Sequence, residues 1–153
     1  MNILNTNRWG SLDVALLVLR VGIAISFVFI YGAPKMFEGP ERWAKLGSNM
    51  AVLGITFWPV VWGFLAAFAE FVGGIFLMVG LLFRPTLAIL IFTMIVAALG
   101  HTIGEIGGGP WHATEMMTVF IALMITGPGA YSLDTFLFGS SGSSASSSAF
   151  HDE

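Results

Sequence analysis

Glu70 stands alone in an apolar run. Gly63 to Phe83, GFLAAFAEFVGGIFLMVGLLF, is 21 residues long and would cross a bilayer but for that one carboxylate in its middle third. A helix rises about 1.5 Å per residue, so about 20 apolar residues match a hydrocarbon core about 30 Å thick. A carboxylate at that depth costs several kcal/mol unless it is paired or neutralised, which makes an intramembrane acid a functional candidate. A second group of reactive side chains lies in GHTIGEIGGGPWHATE, Gly100 to Glu115. There His101 and Glu105 are four residues apart and His112 and Glu115 three apart, so each pair shares a helix face if its helix reaches that far.

Three kinds of chemistry fit two histidines and two carboxylates at one mouth. Histidine and glutamate suit zinc, iron or manganese, and carboxylate bundles point such residues inward, but the H-x-x-E order occurs once and the loop glycines do not fix a geometry, so no metal is assigned. Histidine exchanges protons near neutral pH, and with a carboxylate it could trade protons with a bound quinone-type ring beside Trp111. The plain alternative is a set of interfacial polar residues at helix ends, where an acid in a first turn, such as Glu115, is favourable.

A charge must answer Glu70. Arg20 lies about 12 Å from the side of the chain ends and Glu70 about 12 Å from the other side, so the two levels differ by about 6 Å. An Arg20–Glu70 pair is therefore available, and Ala66, Glu70, Gly73, Leu77 and Gly80 form one stripe whose small residues mark a close helix contact. The alternative is that Arg20 bends towards Asp13 and Glu70 stays protonated.

The elements that must position these groups are membrane helices. Of 153 residues 56% are hydrophobic and 10% charged, against about 25% charged in a soluble domain, so the chain must face lipid. Mean hydropathy is +0.86. The six basic residues are scattered and the net charge is −3, which leaves no basic footprint for nucleic acid. With no cysteine the chain makes no disulfide, thiolate metal site, iron–sulfur cluster or CxxC pair.

Apolar segments at 12–32, 60–83, 85–101 and 112–127 predict four spans with both termini on one side. The first is too long for a signal-peptide core and reads as a retained span. The second and third, joined only by Phe83, Arg84 and Pro85, must be antiparallel neighbours. The expected fold is all-α, an integral membrane four-helix bundle. Between spans one and two, Lys35, Glu38, Glu41, Arg42 and Lys45 mix with tryptophan, the pattern of a short amphipathic helix at the interface. Residues 1–138 form the membrane domain and 139–153, beginning GSSGSSASSS, a flexible tail. Arg8 and Arg84 on the side of the termini face Lys35, Arg42 and Lys45 in the first loop, and the position of Arg84 in the tightest loop, with Arg20 in the near half of span one, favours cytoplasmic termini.

LRVGIAISFVFIYGAPKMF with Arg20 and Lys35, AEFVGGIFLMVGLLFRP with Glu70, Gly73, Gly74, Gly80 and Arg84, and GPGAYSLD from Gly127 to Asp134 occur in that order. Together they resemble the DoxX family of small four-span bacterial and archaeal membrane proteins, over about residues 12–136. The resemblance implies a compact four-helix bundle in a prokaryotic cytoplasmic (inner) membrane and a place beside membrane redox or detoxification assemblies. It implies no agreed catalytic set. Arg20, Glu70 and Asp134 match the family's recurring polar positions, while the His101–Glu115 loop is more particular to this chain. Asp134 has a structural expectation as well, an interfacial ion pair with Arg84 just beyond the helix break at Gly127.

The function expected is an accessory subunit, non-catalytic or co-catalytic, of a respiratory-type redox complex, with a place for a quinone or lipid near Glu70 and the His101–Glu115 mouth. A small proton-coupled carrier working as an oligomer and a structural scaffold are the alternatives. Membrane lipid and other membrane or redox subunits, or further copies of the chain, are the partners this reading implies.

Overall fold

The computed structural model describes residues 8–103 and 108–138, so Glu105 and the tail expected at 139–153 lie outside the described residues. Seven α-helices are described: α1 (Arg8–Ile25), α2 (Ala33–Phe37), α3 (Pro40–Gly47), α4 (Pro59–Val79), α5 (Phe83–Ile103), α6 (Trp111–Thr126) and α7 (Leu133–Phe138). Three helical stretches are long and apolar enough to cross a membrane, Leu12–Phe37, Pro59–Val79 and Phe83–Ile103, and the shorter apolar α6 completes the all-α membrane bundle. The interfacial helix expected between spans one and two is α3, followed by a 3-10 turn, Ser48–Leu53.

Span one is longer than its composition suggests. Expected to end at residue 32, it runs on to Phe37 because a π-helical stretch, Ser26–Gly32, joins α1 to α2 without a break. Pro34 supplies the reason, since its ring has no N–H and would press on the carbonyl four residues back in an α-helix. Here the turn before it is widened, and the Ala33 N–H bonds to the Val28 carbonyl five residues back.

Lipid tails are as apolar as leucine, so helices in a membrane associate through close packing rather than hydrophobic transfer. Glycines provide that closeness around α4, which touches α1, the π stretch, α2, α3 and α5. A methyl group on Gly32 would stand 2.7 Å from the backbone of Phe71, and one on Gly74 2.9 Å from Val28. Across the mouth, Gly47 of α3 lies on the Pro59 carbonyl and Gly63 of α4 on the Trp43 carbonyl, leaving no room for any side chain at either position. Phe27, Leu77, Phe83, Leu87, Leu90, Phe120 and Leu123 fill the centre between these contacts.

A tight turn returns the chain from α4 to α5. Gly80 ends α4 in the left-handed conformation, φ 69°, with its N–H on the Phe76 carbonyl at 2.8 Å, and Leu82 is also left-handed. After α6, Gly127 to Ser132 crosses the face of the bundle nearer the termini before α7 begins.

Gly63→Ala should displace α3 and lower the melting temperature of the detergent-solubilised protein by several degrees. Gly22→Ala, where nothing lies within 4 Å of the added carbon, is the control and should be neutral or slightly stabilising, because alanine is the better helix former. Equal losses from the two substitutions would show that α3 is not held at Gly63.

Candidate functional site

Glu70 sits on the inward stripe of α4 and is 2% exposed. Its partner is Lys35, whose Nζ donates to both carboxylate oxygens, at 2.8 Å to Oε1 and 2.6 Å to Oε2. Lys35 reaches it because span one continues past Gly32, which carries Lys35 to the level of α4's middle turns. The Lys35 side chain keeps 21% exposure against 3% for Glu70, so the pair is reached through Lys35. Trp43 of α3 donates its indole N–H to the Lys35 carbonyl at 2.9 Å, tying the interfacial helix to the same residue.

An aromatic ladder runs from this pair to α6. Lys35 Nζ lies 6.0 Å from the centroid of Tyr31, one turn earlier. Tyr31 stacks on His112, centroids 4.7 Å apart and planes at 24°, and on its inner side meets Phe27, which packs edge-on against Phe120 at 5.1 Å. The result is a neutralised charge pair at mid-bundle, flanked by two rings that carry polar edges. It can offer a hydrogen bond at a place bounded by α2, α3 and α4 and linked to α6 by the Tyr31–His112 stack.

The Arg20–Glu70 pair is not formed, and Arg20 does not reach Asp13 either. Arg20 is wholly buried, donates from Nη2 to the Tyr131 carbonyl, lies 5.8 Å over the Phe83 ring and has no carboxylate within ion-pair distance among the described residues. The physical reason is the lean of helical side chains. Every Cα–Cβ bond tilts towards its helix N-terminus, so on antiparallel helices Arg20 leans towards the face of the termini while Glu70 leans towards the mouth. Comparing Cα levels therefore brings together two side chains that point apart.

The remaining predicted residues divide. His112 joins the ladder through Tyr31. His101, at the end of α5, is half-buried, and its Nδ1 is enclosed without a partner among the described residues. Because α5 ends at Ile103, His101 and Glu105 do not share a described helix face. Glu115 is exposed on α6 and in no ion pair among the described residues. No group of three histidine, aspartate or glutamate side chains converges as a metal site among the described residues. Arg84 and Asp134 do not pair. The Asp134 carboxylate instead accepts the N–H groups of Leu82 at 2.9 Å and Phe83 at 2.8 Å, at the start of α5. Helix N-termini present unpaired donors and a partial positive charge, and a carboxylate satisfies both.

Sequence reading places Lys35 in the interfacial loop and assigns Tyr31 and Trp43 no role. A signal for Lys35 is present, since a buried acid needs a cation on its own side of the membrane and Lys35 is the first one after span one.

The profile of the DoxX family matches residues 15–103. The chain belongs to the DoxX family. It is also 33% identical over 147 residues, 88% of this chain and 99% of the other, to the inner membrane protein YphA of Escherichia coli strain K12. No solved structure matches it. This DoxX-family protein is thus an integral membrane protein. Its matched segment holds Arg20, Lys35, Glu70 and His101, whereas His112, Glu115 and Asp134 follow it.

Removing one partner of a buried ion pair leaves a bare charge, at a cost of about 3–5 kcal/mol when the pair is sealed. Lys35 keeps some solvent, so Lys35→Met or Glu70→Leu alone should cost about 2–3 kcal/mol. The double variant, with two apolar side chains of similar volume, should regain most of that loss in thermal melts. Additive losses in the double variant would show that the two residues are not coupled.

Proposed function

We propose that this protein is an accessory subunit, non-catalytic or co-catalytic, of a redox assembly in a prokaryotic inner membrane, and that the Lys35–Glu70 mouth is where a quinone head or a lipid head engages it. The observation that carries the reading is the charge pair itself: at mid-bundle, with Glu70 buried and Lys35 partly exposed, tied to α3 through Trp43 and flanked by the Tyr31–His112 stack. Ionisable groups at this depth are retained where a ligand or proton must be met. A chain without cysteine supplies no thiol redox couple of its own, so electron transfer falls to a bound cofactor or a partner. Membership of the DoxX family and the likeness to an inner membrane protein fit that setting.

The chemistry follows from the pair. Lys35 has three N–H bonds and spends two on Glu70, so one remains for a ring carbonyl or a headgroup oxygen. Tyr31 and His112 present a stacked pair of flat faces beside it.

We place the termini in the cytoplasm. Arg84 stands in the first turn of α5, beside the short return from α4 on that side, where basic residues weigh most. Fusion after Phe138 should then give fluorescent green fluorescent protein and inactive alkaline phosphatase, and the reverse pattern would invert the orientation.

The role is tested by native mass spectrometry of the protein extracted gently from its own membranes. A copurifying redox subunit or one quinone-sized adduct, lost in the Lys35→Met/Glu70→Leu variant, is expected. A bare oligomer carrying only lipid, with solute uptake abolished by that variant, would favour a proton-coupled carrier. A lipid-only complex with no activity change would leave a scaffold.

A further inference from the structure

The face nearer the termini contains a charge that lacks what Glu70 has. Arg20 is wholly buried, yet of its three guanidinium nitrogens only Nη2 has a partner, the Tyr131 carbonyl, and Nε and Nη1 have none among the described residues. A guanidinium brings five N–H donors and no acceptor, and enclosing it in apolar surroundings without an anion is costly. The site is nevertheless built for it. Any side chain at Gly80 would overlap Nη1, and Phe83 turns its ring towards the group.

Among the described residues, Asp13 and Asp134 on this face are engaged elsewhere. Asp13 accepts the Ala130 N–H at 2.8 Å, and both oxygens of Asp134 cap the start of α5. Backbone donors thus satisfy these carboxylates, and among the described residues the guanidinium is left with one carbonyl.

A shallow, open apolar groove of about 470 Å³ lies against the same loop, lined by Leu17, Met78, Val79, Leu133 and Phe136 together with Tyr131 and Ser132. Tyr131 bonds Arg20 and Ser132 packs on Gly80 beside Nη1, so one peptide's thickness separates the groove from the charge. Val79 and Phe136 are exposed.

We propose that this groove holds one anionic lipid, its acyl chain along Leu17, Val79 and Phe136 and its phosphate at the Tyr131–Ser132 end, where the charge of Arg20 stabilises it. A zwitterionic lipid carries its own ammonium into the same field and gains less. A free phosphate lacks the chain that the apolar lining selects. The site lies at the opposite end of the bundle from the Lys35–Glu70 mouth and does not rest on the function proposed for that mouth.

The test is competitive lipid binding to the full chain, read as adduct masses after equilibration with vesicles of equal parts phosphatidylglycerol and phosphatidylethanolamine of identical acyl chains. The first adduct should favour phosphatidylglycerol by roughly fivefold, the scale of one Lys or Arg charge acting on an anionic lipid. Val79→Trp fills the groove from an exposed position without touching Arg20. It should bring the ratio to about one while the melting temperature without added lipid stays unchanged. Arg20→Gln, where it folds, should do the same with the groove open. Dodecyl phosphate should displace the lipid and an excess of inorganic phosphate should not. A wild-type ratio near one, a preference that survives Val79→Trp, or displacement by inorganic phosphate as effective as by dodecyl phosphate would each overturn the assignment.

Discussion

A carboxylate in hydrocarbon must be neutralised, and much of this bundle is arranged around how that is done for Glu70. The nearest cation that leans the right way is Lys35, which serves only if span one continues beyond Gly32. Continuation meets Pro34, and the π stretch absorbs it. With α2 in place, Gly32 can lie on the backbone of Phe71, α3 can cross the mouth at Gly47 and Gly63, and Trp43 can hold the Lys35 carbonyl. Coulomb attraction in a low-dielectric interior offsets the cost of desolvating both groups only when their geometry is good. The two short contacts from Nζ meet that condition.

The two ends of the bundle use acids differently. Towards the mouth side of mid-bundle an acid meets a cation, with Lys35 left partly exposed. At the other end Asp13 and Asp134 meet backbone N–H groups and act as clasps, holding the segment from Ala130 to Asp134 across the turn that joins α4 to α5. The Asp134 N–H returns a bond to the Gly80 carbonyl at 3.0 Å, so the clasp closes from both sides. Gly80 is fixed there twice over, by its left-handed backbone and by the guanidinium lying against it.

The class of the fold was legible in the sequence, because length, hydropathy and the scarcity of charge force helices across a bilayer. So were the interfacial helix and the antiparallel pairing of α4 with α5. The partner of Glu70 was not. Levels along a helix axis ignore the lean of side chains, and the apolar count stops at Gly32 although the helix does not. Asp134 misled for a related reason: charge opposite charge is visible in a sequence, while an unpaired backbone N–H in the first turn of another helix is a tertiary fact. His101 and His112 both stand near the mouth in the chain, yet only the stacking of Tyr31 identifies which of them joins the ladder beside the charge pair.

The central claim is that Lys35, not Arg20, stands against Glu70 within the membrane. A chain with no native cysteine allows a clean test by paired cysteine substitution and a short bifunctional thiosulfonate. Lys35→Cys/Glu70→Cys should cross-link rapidly and in high yield in intact membranes, and Arg20→Cys/Glu70→Cys should not. Efficient linkage of positions 20 and 70 with none between 35 and 70 would contradict the account.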